Sequence, residues 1–145
     1  MKWIPRLTLL VLVAAVCPAR GERPAEDPEA ADVIVTGTVE KVYLRKDGRL
    51  NDYLVQIRVE QVHANRPVER GGRPAEAPPA VGPKDRLLVT CFQMDAPAVP
   101  EPEAGGHDAV PKEGQRVKAY VRRRHRGELE GNYSKWFDDA PAGNG

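Results

Sequence analysis

The chain has 145 residues, with 22 Lys and Arg against 21 Asp and Glu and a formal charge of +1 at neutral pH. A chain this close to neutral has no global electrostatic drive toward nucleic acid, so only a local cluster of cations could hold a polyanion. It has only two cysteines, Cys17 and Cys91, which excludes a disulfide-dense scaffold and leaves stability to an apolar core.

The first residues, MKWIPR, carry Lys2 and Arg6, and Leu7 to Val16 follow without a charge. A basic start, a short apolar run and small residues beyond it predict a secretory signal peptide over residues 1–19. Ten apolar residues are too few for a membrane-spanning helix, which needs roughly 20. Cleavage after Ala19 would release a soluble protein. Cleavage before Cys17 would expose a cysteine for lipid attachment, although Val16 stands where a small residue is usual in such a signal. Loss of Lys2 and Arg6 leaves 20 basic and 21 acidic side chains, a formal charge of −1. Residues 20–32, rich in Pro, Glu and Ala, are expected to form a flexible tether. The expected location is the periplasm or the extracellular space, with or without a lipid anchor.

From Asp32 the pattern changes. DVIVTGTVEKVYLR, rich in Val, Ile and Thr, predicts a first strand. Its apolar phase slips after Val39, and with Gly37 this predicts a bend or bulge. Lys46 to Arg49 contain an Asp-Gly pair suited to a tight turn. In DYLVQIRVEQV, Tyr53, Val55, Ile57 and Val59 alternate with Leu54, Gln56, Arg58 and Glu60, which predicts a second strand paired to the first as a hairpin. Residues 64–85 are loaded with Pro and Gly and read as a long loop. Arg86 to Met94, RLLVTCFQM, is apolar on both faces and predicts a central strand covered on both sides. A second Pro-rich loop covers residues 95–114. Connections of this length are uncommon in a compact domain and point to function or mobility. QRVKAYVRRRHR resumes alternation, with Val117, Ala119 and Val121 inward. After a turn at Arg126-Gly127, ELEGNYSKWFDD predicts a last, irregular strand.

These signals predict an all-β fold: a small five-stranded antiparallel Greek-key barrel over residues 33–139 with two long Pro-rich loops, and a disordered tail over 140–145. The long first strand bent at a glycine and the four shorter ones resemble the OB-fold and the related netrin/TIMP-type domains of secreted proteins. The order leader, Gly37 to Val42, Tyr53 to Ile57 and Gly114 to Tyr120 is also similar to small secreted bacterial proteins of unknown function. That resemblance implies a fold and no activity. OB-folds usually place a helix between the third and fourth strands, where this chain has proline. TIMP-type inhibitors chelate a protease zinc with a disulfide-tied N-terminal cysteine, and Cys17 has no partner cysteines for that role.

Two features are candidate ligand sites. Lys118, Tyr120, Arg122, Arg124 and Arg126 would share one face of an extended strand and could meet an acidic glycan or another polyanion. Acidic residues after the turn could instead neutralise them across the hairpin. Tyr133, Trp136 and Phe137 gather three of the chain's eight aromatic residues in five positions. Tyr133 and Trp136 are candidates for a stacking platform beside the cations, or one of Trp136 and Phe137 plugs the barrel. Cys91 lies in an apolar strand, which makes it a small buried hydrophobe and, in the alternative, the nucleophile of a thiol enzyme or redox protein. His63, His107 and His125 have no metal-binding spacing. NYS at 132–134 is formally a glycosylation acceptor. No catalytic motif can be named and no cofactor is expected. The expectation is a monomeric, non-enzymatic binding or envelope-associated module, with a protein-binding or inhibitory role for the Pro-rich loops as a further alternative.

Overall fold

A computed structural model describes residues 24–68, 79–95, 106–133 and 135–141. The leader with Cys17, the middles of both Pro-rich loops and the last four residues lie outside these. Six strands follow in order: β1 Val33–Asp47, β2 Leu50–Asn65, β3 Arg86–Met94, β4 Arg116–Arg123, β5 Leu129–Gly131 and β6 Phe137–Asp139. Short 3-10 turns occupy Pro28–Ala30 and His125–Gly127.

The strands run β1-β2-β3-β5-β4, and β4 pairs back with β1, so the sheet closes into a five-stranded barrel. Every pairing is antiparallel except β3 with β5, where Val89 lies beside Leu129 and Thr90 beside Glu130 in parallel. This corrects the expectation of a wholly antiparallel barrel, and the reason is parity. Directions can alternate all the way round a closed ring only when the number of strands is even, so five strands force at least one parallel neighbour.

The first strand is long enough to serve two partners because it bends. Register shifts at Ile34/Val35, Thr36/Gly37 and Val39/Lys41 coil it around the barrel. At Gly37 the strands approach so closely that a Cβ would lie 2.3 Å from the Arg58 carbonyl oxygen. The last shift leaves Glu40 unpaired, which is the phase slip visible in the sequence. Gln56, Arg58 and Arg86 converge on the Glu40 carboxylate and hold its pKa down at about 2.

The core is built of Val33, Val35, Val39, Val55, Ile57, Val59, Leu87, Val89, Cys91, Val117, Ala119 and Val121, closed by Trp136. β3 is covered on one face and not on two, since Arg86, Leu88 and Thr90 are exposed between buried neighbours. The predicted last strand is two. β5 and β6 run along the same edge of β4, and Asn132, Tyr133 and Trp136 leave the strand between them. Tyr120 marks the interruption: its carbonyl accepts the Asn132 N–H, and its N–H donates to the Trp136 carbonyl.

Of residues 20–32, read as a tether, the described part, 24–32, lies along the barrel. Asp27 caps the Pro28 turn, and the Asp27 carbonyl accepts from Asn132 Nδ2 at 3.0 Å. Arg66 donates to the carbonyls of Glu29 and Ala31. Ala31 packs with Ile34 and Tyr120 in a second small core outside the barrel.

Candidate functional site

The basic strand comes with its own counter-charges. Lys118 Nζ lies 3.5 Å from Glu29 and 5.2 Å above the Tyr120 ring. Arg122 pairs with Glu26 at 3.2 Å. Arg124 makes a two-pronged contact with Glu130, Nε to Oε2 at 2.6 Å and Nη2 to Oε1 at 2.5 Å. Tyr120 is buried, and its hydroxyl donates to Asp138 Oδ2 at 2.9 Å. Arg126 leaves the stripe, because β4 ends at Arg123 and Arg126 sits exposed in the following turn at φ +70°. The structure therefore groups Lys118, Tyr120 and Arg122 under the acidic segment Glu26–Asp32, with Arg124 and Arg126 beyond the strand end.

Tyr133 and Trp136 do not form a platform. Trp136 is 1% exposed, its ring lies against Gly131, and its indole Nε1–H donates to the Ala109 carbonyl at 2.8 Å. Tyr133 is buried, stacks on Phe92 and accepts the Gly106 N–H on its hydroxyl. Phe137, half-buried, meets the Trp136 ring edge-on. His107 is buried among these rings: Nδ1 accepts the Phe92 N–H at 3.1 Å and Nε2 donates to the Gly131 carbonyl at 2.8 Å. It is a strut of the barrel's end. Among the described residues no group of three His, Cys, Asp or Glu side chains could hold a metal ion. Asn132 is fully buried, which turns the NYS acceptor away from solvent.

Cys91 is 3% exposed, and burial, with the negative charge of Glu130 second, pushes its thiol up to about 12. At pH 8 this leaves about one thiolate in ten thousand, far below what nucleophilic chemistry needs. An exposed-thiol reagent at pH 8 is therefore expected to leave Cys91 of the native protein unlabelled over minutes and to label it fully once guanidinium unfolds the chain. Fast labelling of the native state would contradict this burial.

A groove that the sequence did not announce lies on the outer face of β1, β2, β3 and β5. It has a volume of about 540 Å³ and is lined by Tyr43, Arg45, Asp52, Leu54, Thr90, Phe92 and Glu130, among others. The register explains the set. Tyr43 lies beside Leu54, Leu54 beside Thr90 and Thr90 beside Glu130, one row across four strands. In the next row Arg45 lies beside Asp52 and Asp52 beside Phe92. Tyr43 is 52% exposed on the outer face, and β4 leaves β1 at Thr38, so the β1–β2 hairpin reaches past the barrel as an arm. The charges of the groove come in pairs: Arg45 Nη2 bonds Asp52 Oδ2 at 2.6 Å, and Arg124 holds Glu130. The outward parity of Tyr43 and Leu54 was the available signal, hidden by the slip at Glu40.

Fold and groove together define a small closed five-stranded all-β barrel, mixed in strand direction, with a half-apolar outer face. No protein-family model, curated protein or solved structure matches the chain.

Proposed function

We propose that this is an exported, non-enzymatic binding module that takes an uncharged ligand with one apolar face, such as a neutral saccharide chain, across Tyr43, Leu54, Thr90 and Phe92. The observation that carries this is the half-exposed Tyr43 in a groove whose cations are already matched to carboxylates. An aromatic face and fixed polar groups suit a ring with apolar C–H on one side and hydroxyls on its rim. The outer face of the second and third strands is also where OB-type barrels commonly engage oligomers. Export rests on the charge and hydropathy of residues 1–19. A polyanion on β4 is the weaker reading, because it would have to displace Glu26 and Glu29 from Arg122 and Lys118.

An array of neutral and anionic oligosaccharides tests the proposal. Tyr43→Ala should weaken retention of a neutral ligand about tenfold, as the loss of one aromatic contact implies, while the melting temperature stays within a few degrees. Binding should change little between low and high salt. Retention on heparin that is lost in Arg122→Glu, Arg124→Glu and Arg126→Glu, with Tyr43→Ala unaffected, would overturn it in favour of the basic strand.

A further inference from the structure

The hairpin arm has one open backbone edge. β2 covers one side of β1 throughout, and β4 covers the other only from Val33 to Thr38. Next along that edge, Val39 exchanges backbone bonds with Gln115 and Gly114, and the Val42 N–H is capped by Glu113 Oε1. The direction of the Val42 N–H fixes the phase of the residues after it. In an antiparallel ladder alternate residues face alternate neighbours, so Leu44 and Lys46 also direct their N–H and C=O away from β2. Among the described residues no strand lies beside them. Leu44 is itself 49% exposed. An exposed strand edge carrying an apolar residue is a template for another strand.

We propose that this edge pairs with the same edge of a second copy of the chain about a twofold axis at Leu44, making a dimer through the hairpin arms. The sequence is self-complementary in that register. Leu44 faces Leu44 of the other copy, and the two exchange N–H to C=O bonds. Tyr43 faces Arg45 and Lys41 faces Asp47, each pair occurring twice, so an aromatic face meets a guanidinium and an ammonium meets a carboxylate. Neighbouring registers are worse. Sliding one strand by two residues toward the turn sets Arg45 against Arg45 and Leu44 against Lys46, and sliding it by two the other way sets Lys41 against Arg45 twice. Arg45 and Lys46 thus protect the edge from arbitrary strands and admit this one partner. Since opposed residues in an antiparallel pair share a face, the outer faces of both copies become continuous. The edge is short, so the dimer is weak and concentration-dependent.

Sedimentation velocity on the exported, processed chain, from about 10 to about 500 µM, reads the state directly. The expected result is a monomer at the low end and a twofold heavier species at the high end. Asp47→Lys alone and Lys41→Glu alone should each remain monomeric, because each sets like charges opposite each other twice in its own dimer. An equimolar mixture of the two should dimerise, because both pairs between positions 41 and 47 are then of opposite sign. Leu44→Pro, which removes an edge N–H that the barrel does not use, should also remain monomeric, with the circular-dichroism spectrum confirming the fold. A wild type that stays monomeric throughout, variants that dimerise like the wild type, or a mixture that fails to recover would overturn the proposal.

Discussion

Trp136→Ala is expected to lower the stability by about 3–5 kcal/mol, a large part of the whole stability of a small domain. The core is otherwise built of Val, Ile, Leu, Ala and one Cys, with Trp136 the largest buried side chain. Its loss empties the gap between Gly131, His107 and Phe137 and leaves the Ala109 carbonyl without its donor. The cavity is hard to refill, because the ring is delivered by a loop between β5 and β6 that is pinned on both sides by Tyr120. Phe137→Ala, at a half-buried position, should cost less than half as much. Urea denaturation followed by circular dichroism measures both. A loss below about 1 kcal/mol for Trp136→Ala would mean that the ring does not close the barrel.

Gly37→Val is the second large effect, with an expected cost of about 3 kcal/mol or more. The added Cβ would meet the Arg58 carbonyl oxygen at 2.3 Å and the Ile57 side chain at 2.9 Å. The first obstacle is backbone of a strand held from both sides, so it cannot rotate away as a side-chain tip would. Gly48→Ala supplies the contrast. Gly48 has φ +60° and nothing within 4 Å, so the cost there should be only the conformational strain, about 1 kcal/mol. Similar losses at the two sites would show that β1 and β2 can separate at Gly37 without penalty. The difference between the two variants isolates close approach from backbone conformation.

The alternation of Val, Ile and Leu located β1 to β4, because a period of two reports directly which residues a barrel turns inward. The bulge in β1 was legible from its phase slip. The parallel pair was available from the strand count, yet a strand-by-strand pattern carries no information about ring closure. The site was less legible for physical reasons of the same kind. Lys118 meets Glu29 from 89 residues away, so a run of cations in the sequence conceals its distant neutralisation. Trp136 leaves strand geometry before it turns inward, and alternation has no meaning off a strand. Tyr43 becomes a groove residue because the register shift at Glu40 turns it to the outer face, where unbroken alternation from Val39 would have placed it inside.

The closure of β1 against β4 pairs Val33 with Val121 and draws together the two ends of the domain. Loops of this size close slowly, since their entropy must be lost before any contact rewards it. A chain emerging from its N-terminus can form the β1–β2 hairpin early, because its turn is local. It cannot complete the cylinder until the final segment with Trp136 has arrived. Until then Val33, Val35 and Val39 lack their far wall, and the nascent hairpin is the species most exposed to sticking and in greatest need of chaperone cover.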